Sequence, residues 1–309
     1  MAGGCAMLKD DIATYLAIRR AGGFKLEDDE LYLDSFARFA DAQGDTHVVA
    51  QTAIAWAEQA CSEAQRAQRL KAVIRFAYFS RATDNRHEVP PQGVFCPRRR
   101  RPTPYLFNDE AVLALMRQAA RLGPDGSLRP LMYSTLIGLL AATGLRISEA
   151  LNLRFQDVTL DGLVIRETKF RKSRLVPLHP TTRAALDRYL DKRGQLAGVD
   201  DHLFVSRRRH PLSRQAVYPT FHKLLAAAGL ANQPGLPRPR LIDFRHSFAS
   251  NALVDCPDDR DHISRHALAL MTYLGHAHPS STFWYLERTQ QLMGNIAQAC
   301  EKWAGENAP

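Results

Sequence analysis

The stretch LGHAHPSSTFWY, residues 274–285, is the segment around which the other motifs of the chain are organised. It places Tyr285 nine residues after His276. A tyrosine near a histidine is, taken alone, an ordinary feature of protein packing. Three earlier segments make a functional role for this pair more plausible. They are ATGLRISEALNL at 142–153, TKFRKSRLVPL at 168–178 and DFRHSFASNAL at 243–253.

Together these segments supply the groups needed to hold a phosphodiester and to attack it with a phenol. Guanidinium forks match the non-bridging phosphate oxygens two at a time, and Arg146 and Arg245 are the candidates. Lys169 lies near the tip of an expected hairpin and can protonate the leaving oxygen as a general acid. His276 can accept a proton or stabilise the phosphate, and Tyr285 would be the nucleophile. This exchange requires no metal and no nucleotide cofactor, and none is predicted.

Each of these residues also has a plainer explanation. A lone arginine more often forms a structural salt bridge, and Glu149 either orients Arg146 or makes an ordinary i,i+3 helical pair with it. Lys169 could be a simple contact to a DNA backbone. The His276-x-His278 pair would suit a metal-dependent nickase, but that reading leaves the arginine and lysine motifs unexplained.

The four segments resemble the motifs of the tyrosine recombinase (phage integrase) family across about residues 105–300, whereas residues 8–88 resemble it only in general character. The resemblance implies an N-terminal helical core-binding domain, a C-shaped clamp on duplex DNA, and strand exchange in a tetramer. It assigns a catalytic role to Arg146, Lys169, Arg245, His276 and Tyr285, with Glu149 in support.

One position departs from the family pattern. A histidine usually stands three residues before the second arginine, and here that residue is Ile242. Isoleucine cannot donate a hydrogen bond to a phosphate. Loss of one such donor weakens stabilisation of the transition state by about 2.7–4 kcal/mol. Arg240 is a candidate replacement. His246 would point about 100° away from Arg245 on a helix, which favours a structural role for it.

The fold class expected is mainly α (α+β). Apolar spacing over residues 8–88 predicts a bundle of four or five short helices. We divide the chain into a helical DNA-binding domain (1–88), a basic, proline-rich linker (89–106) and a catalytic domain (107–309) that is mostly helical with a small antiparallel sheet.

Within residues 107–309, Asn108 is a plausible N-cap for a helix that extends to about Leu122. A strongly apolar helix should follow and end at Gly144. Residues 163–178 have the pattern of a β-hairpin with a basic turn, preceded by an Asp161-Gly162 turn signal. Further helices are expected at about 180–196, 212–229, 241–253, 263–273 and 290–303.

The charge of the chain favours a polyanionic partner, since the net charge is +9. Residues 1–90 carry 11 Lys and Arg against 13 Asp and Glu, whereas residues 91–309 carry 30 against 19. The basic character therefore belongs to the linker and the second domain. The candidate DNA-contact residues are Arg98, Arg99, Arg100, Arg101, Arg171, Lys172, Arg174, Arg207, Arg208 and Arg209.

Other classes of protein are disfavoured by composition. The five cysteines are scattered and include no CxxC pair, which argues against a disulfide framework or a zinc module. No apolar run approaches the roughly 18 residues of a spanning helix, and no secretory signal is evident. We therefore expect a cytoplasmic protein, associated with the nucleoid when bound to DNA, with no membrane partner.

The function expected from the sequence is site-specific cleavage and rejoining of duplex DNA through a 3′-phosphotyrosine, in integration, excision or transposition of a mobile element. The expected assembly is a homotetramer on DNA or a complex with related recombinases. The first alternative is a DNA-binding accessory subunit with weakened catalysis. A type-IB-like topoisomerase is a second alternative, because its first half-reaction is the same.

Overall fold

The computed structural model describes residues 4–97, 102–124, 126–166, 173–196, 200–254 and 260–275. The chain divides into two compact units, Met1–Arg101 and Pro102–Pro309. Among the described residues, no helix combines the length and the apolar character that a bilayer crossing would require.

The described part of the first unit is a bundle of four helices. The helices are α1 (Gly4–Ala21), α2 (Glu27–Ala42), α3 (Ala50–Glu58) and α4 (Glu63–Arg81). Four acidic residues fill the first turn of α2, where they complement the positive end of the helix dipole. Ser62 caps α4 by accepting a hydrogen bond from the Gln65 N–H at 3.2 Å. The expected bundle of four or five helices is confirmed in the part of the chain that the structure describes.

Aromatic side chains form much of the core of this first unit. Phe36 and Trp56 meet edge to face with ring centroids 5.5 Å apart, and both are buried. Tyr15 packs against Phe76 in the same way at 5.7 Å. These contacts connect α2 with α3 and α1 with α4, so the bundle has a core of its own.

The second unit is mostly helical and contains one small sheet. Its helices are α5 (Asp109–Ala119), α6 (Arg129–Thr143), α7 (Ile147–Leu151), α8 (Pro180–Gly194), α9 (Arg214–Ala227), α10 (Asp243–Val254) and α11 (Arg260–Leu274). A 3₁₀ turn, Phe155–Asp157, follows α7. The strands are β1 (Val158–Thr159), β2 (Gly162–Ile165) and β3 (Arg174–Val176). The predicted fold class, mainly α with a small antiparallel sheet, is confirmed.

Two helix ends follow directly from local sequence signals. The Asn108 side chain accepts a hydrogen bond from the Ala111 N–H at 2.9 Å and so caps α5, as predicted. Gly144 ends α6 with φ +60°, and its N–H donates to the Leu140 carbonyl at 3.0 Å. A Cβ at this glycine would lie 2.7 Å from the Phe248 ring. Both backbone conformation and packing therefore require glycine at the end of α6.

The sheet is antiparallel in the order β1-β2-β3. A two-residue connection between Thr159 and Gly162 confirms the turn predicted there. Strands β2 and β3 form the predicted hairpin, with Leu163 opposite Val176 and Ile165 opposite Arg174. The turn that joins these two strands lies outside the described residues.

Helix α6 is the centre of the core of the second unit. Leu136, Leu139 and Leu140 are buried, and α6 contacts α5, α8 and α10. The Phe107 and Phe244 rings stack with centroids 4.3 Å apart, which connects the segment before α5 with α10. This packing holds the C-terminal end of α6, which Arg146 follows, and the first turn of α10, which contains Arg245. The helix predicted at 290–303 lies outside the described residues.

Candidate active site

Arg146 stands at the junction of α6 and α7, immediately after the buried residue Leu145. It has extended backbone geometry and occupies the N-cap position of α7. Its N–H donates to Oε2 of Glu149 at 3.0 Å, and its Nη1 donates to Oε1 of the same carboxylate at 2.7 Å. A side-chain exposure of 33% leaves the Arg146 guanidinium accessible to a ligand.

The Glu149 carboxylate receives a second set of hydrogen bonds from Arg174. Nη1 of Arg174 donates to Oε1 at 3.2 Å, and Nη2 donates to Oε2 at 2.8 Å. Each carboxylate oxygen therefore accepts two hydrogen bonds, which uses the acceptor capacity of the group fully. Burial opposes ionisation of Glu149, but the hydrogen bonds from Arg174 and Arg146 and the charges of both guanidinium groups outweigh it. The pKa of Glu149 accordingly lies below its ordinary value.

Arg174 is an interior residue at the start of β3. It opens β3, its side chain is 10% exposed, and its Nε donates to the Tyr273 carbonyl at 2.7 Å. Arg174 was predicted to contact DNA, but in the structure its guanidinium donates to protein acceptors, the Tyr273 carbonyl and the Glu149 carboxylate. The strand pattern contains the signal that was missed, because period-two alternation puts Arg174 on the same face as buried Val176.

Arg245 lies within α10 and is buried, with an exposure of 2%. Its Nη1 donates to the Gly144 carbonyl at 3.0 Å, two residues before Arg146. Its Nη2 donates to the carbonyl of Leu274. The two predicted arginines are thus connected through the segment that follows α6.

The end of α11 is held by two guanidinium groups. Arg174 binds the carbonyl of Tyr273, and Arg245 binds that of Leu274. The last carbonyls of a helix lack intrahelical partners and carry partial negative charge, so cations are favoured there. Gly275 follows with φ +64°, and a Cβ at that position would lie 3.0 Å from Nη1 of Arg174. The next residue in the chain is His276.

Tyr273 contributes packing at this helix end. Its ring stacks on Phe248 with centroids 5.3 Å apart. Burial raises the pKa of Tyr273 to about 12, although the Arg174 and Arg245 charges oppose that rise. The phenol is therefore protonated at neutral pH.

The position that lacks the usual histidine is open to solvent. Ile242 is 39% exposed. Arg240, its suggested replacement, forms an ion pair with Asp243. Its Nε donates to Oδ2 of the carboxylate at 3.2 Å, and its Nη2 donates to Oδ1 at 2.8 Å. Burial lowers the pKa of His246 to about 4, so that imidazole is neutral at pH 7. The Arg240 guanidinium is therefore bound to a protein carboxylate.

The basic cluster Arg207, Arg208 and Arg209 forms an exposed turn. The Ser206 N–H donates to the His210 carbonyl at 2.8 Å, and the Arg209 N–H donates to the Ser206 carbonyl at 2.9 Å. This arrangement presents several cationic side chains on one short loop. Such a loop can neutralise phosphates without reading bases.

Several predicted site residues lie outside the described part of the chain. They are Lys169, His276 and Tyr285 among the catalytic candidates, and Arg98, Arg99, Arg100, Arg101, Arg171 and Lys172 among the DNA-contact candidates. The described residues bring together Arg146, Glu149, Arg174, Arg245 and the end of α11.

Comparison with known families identifies the relationship. The family model described as the phage integrase family matches residues 107–291, which is more than half of the chain. The chain belongs to the phage integrase family. This membership confirms the predicted family and the predicted enzyme class, a tyrosine-type site-specific recombinase.

Relatives share much of the sequence, and solved structures share the fold. The chain is 38% identical to a Sinorhizobium fredii protein named as integrase/recombinase y4rB, over 94% of this chain and 96% of that one. It is 31% identical to the tyrosine recombinase XerD of Brucella abortus, over 82% of each chain. The fold is similar to XerH bound to difH substrate (TM-score 0.63, 19% identity, 88% and 78% coverage). It is also similar to the Tn1549 transposon integrase in complex with transposon DNA (TM-score 0.62, 17% identity, 95% and 99% coverage).

Proposed function

We propose that this recombinase cleaves and rejoins duplex DNA at specific sites through a 3′-phosphotyrosine formed on Tyr285. The observation that supports this most directly is the arrangement at the end of α11. Arg245 binds the Leu274 carbonyl and reaches back to Gly144, beside Arg146. The motif that leads to His276 and Tyr285 therefore starts next to both predicted phosphate-binding arginines.

In the proposed reaction, the Tyr285 phenol oxygen attacks the phosphorus of the scissile phosphodiester. Arg146 and Arg245 hold the non-bridging oxygens, where negative charge develops. His276 accepts the phenol proton, and Lys169 gives a proton to the departing 5′ oxygen. The phosphorus gains a bond to Tyr285 and loses its bond to the 5′ oxygen, so the bond energy is retained. Attack by a 5′ hydroxyl on the phosphotyrosine reverses the chemistry and rejoins the strands.

The proposed partner is double-stranded DNA carrying specific sites. XerH was solved on its difH substrate, and the Tn1549 integrase was solved on transposon end DNA. For this chain, we propose that residues 1–88 and residues 107–309 form a DNA-binding and a catalytic domain, joined by the basic linker. We further propose assembly as a homotetramer or with related recombinases, in the cytoplasm on nucleoid DNA, during movement of a mobile element.

Covalent trapping tests this function. Nicked duplexes from the flanks of the encoding element are incubated with wild type or Tyr285→Phe in EDTA, and the products are separated on a denaturing gel. A protein–DNA band that forms in EDTA with wild type and disappears with Tyr285→Phe is the expected result. A band that persists in Tyr285→Phe would assign the nucleophile to another residue. A band that requires divalent metal would favour the metal-dependent nickase.

The second candidate function is a DNA-binding accessory subunit with weakened catalysis. Ile242 supports it, because an exposed isoleucine stands where the family usually has a histidine, and Arg240 is paired with Asp243. The same gel distinguishes the two functions. Specific DNA binding without any trapped band, restored only on addition of a partner recombinase, would support the accessory role.

A further inference from the structure

Arg174 connects three elements that carry predicted catalytic groups. It opens β3, the strand that returns from the hairpin turn. Its two terminal nitrogens donate to the carboxylate oxygens of Glu149, the third residue of α7, which also binds Arg146. Its Nε donates to the Tyr273 carbonyl near the end of α11. One planar cation therefore links the hairpin, α7 and α11.

We propose that Arg174 is a positioning residue for strand cleavage. It fixes the relative positions of three groups: the strand β3 of the hairpin that contains Lys169, the Glu149 carboxylate that orients Arg146, and the end of α11 that precedes His276. The inference rests on the proposed function, since it assigns Arg174 a role in that reaction. Arg174 itself touches neither substrate nor reacting atoms in this proposal.

The shape of the guanidinium explains why an arginine performs this task. Its donors form a rigid planar fork that can bind a carboxylate with two nitrogens and a carbonyl with the third. A lysine ammonium is a compact point charge on a flexible stem, so it cannot reproduce both contacts with fixed geometry. The close approach of Gly275, whose added Cβ would lie 3.0 Å from Nη1, shows that the guanidinium also packs against the residue before His276.

Burial separates this role from a contact to the DNA backbone. The Arg174 side chain is 10% exposed, and Glu149, its ion-pair partner, is 9% exposed. A residue that binds phosphate contributes about one unit to the slope of log affinity against log salt concentration. An interior positioning residue contributes nothing to that slope, but a shift of about 1 Å in the groups it holds can slow the reaction about 10²-fold.

The test compares Arg174→Lys and Arg174→Met with wild type and with the control Arg188→Met, which removes an exposed arginine on α8. Single-turnover cleavage of a nicked duplex is measured at saturating protein, and affinity is measured from low to high salt. We expect affinity and salt slope to stay within about twofold of wild type. We expect the cleavage rate to fall about 10-fold in Arg174→Lys and about 10²-fold in Arg174→Met.

Amide hydrogen exchange of the free protein provides a readout that does not depend on chemistry. Exchange in residues 162–165 and 270–275 should rise in Arg174→Met and stay unchanged in Arg188→Met, while α1 to α4 stay protected in both. If wild type forms no adduct, the proposed function fails, and the positioning role of Arg174 in strand cleavage fails with it even if exchange rises. If wild type cleaves and Arg174→Met cleaves as fast, or if its salt slope drops by about one, the positioning role is overturned and the proposed function stands.

Discussion

Arg146 and Arg174 donate to the same two oxygens of Glu149, and together they supply four hydrogen bonds to one largely buried carboxylate. The two arginines have different exposures, 33% and 10%. The more exposed one is accessible to phosphate, whereas the other is directed at the protein. A single carboxylate thus couples a partly exposed arginine to an interior one.

Replacing Glu149 should destabilise the second unit strongly. Glu149→Gln removes the negative charge between two guanidinium groups, and breaking a buried ion pair on one side costs about 3 kcal/mol. We expect a lower urea midpoint for the second unit and a smaller effect in Glu110→Gln, which alters an exposed carboxylate in the first turn of α5. The pKa of Glu149 is lowered, so wild type should lose this contribution as the pH falls below the ordinary value of 4.5. Equal midpoints for the two variants would refute the argument.

Gly275→Ala should impair cleavage more than it impairs stability. The alanine would have to adopt φ +64° and displace the Arg174 guanidinium from a distance of 3.0 Å. Backbone strain of this kind costs about 1–3 kcal/mol, and the displaced guanidinium should slow the single-turnover rate. Gly229→Ala is the matched control, because this glycine follows the end of α9 with φ +73° and its Cβ would meet nothing within 4 Å. A Gly275→Ala enzyme with wild-type rate would show that this contact is dispensable.

His246 should make the stability of the second unit depend on pH. Burial lowers its pKa from 6.5 to about 4, so the unfolded chain binds a proton at a higher pH than the folded chain does. The free energy of unfolding therefore has its full value above about pH 6.5 and decreases as the pH falls from 6.5 towards 4, where the unfolded chain takes up the proton first. We expect His246→Gln to reduce the stability difference between pH 7 and pH 5 by about 1–2 kcal/mol, after allowance for partial exposure. The measurement is urea denaturation at both pH values, and an unchanged difference would contradict the assignment.

Restoring the missing histidine should preserve or raise cleavage. Ile242 is 39% exposed, so Ile242→His introduces a donor without opening a cavity in the core. One added donor to the transition state can raise the cleavage rate by up to about 10²–10³-fold when its geometry is correct. The adduct-forming rate is compared with wild type and with Ile242→Leu, which keeps the side chain apolar. A marked loss of rate in a folded Ile242→His enzyme would show that this position is not the vacancy.

Local signals in the sequence predicted the elements that surround the site. Asn108 predicted the start of α5, and Gly144 predicted the end of α6, because a cap depends on only a few neighbouring residues. The hairpin from β2 to β3 was also predicted, since alternation and turn residues act over short range. Helix ends differed from expectation by a few residues; α11, for example, begins at Arg260.

The partners of the charged side chains were less predictable. Glu149 was assigned to Arg146 alone, because the i,i+3 spacing is visible in the sequence, whereas its contact with Arg174 depends on how β3 packs against α7. Arg174 was grouped with Arg171 and Lys172 by composition, although strand alternation separates it from a turn. The sequence suggests Arg240 as a replacement for the missing histidine, and its pairing with Asp243 becomes visible only when α10 is seen to begin at Asp243.

Gly144 combines three requirements in one residue. Its left-handed backbone ends α6, its missing side chain admits the Phe248 ring, and its carbonyl accepts a hydrogen bond from Arg245. A residue with a side chain would strain the left-handed backbone and would collide with Phe248 unless α10 moved. Moving α10 would displace Arg245. In a library with every amino acid at this position, functional clones should retain glycine almost alone, and second-site suppressors should map to Phe248 before any residue that touches DNA.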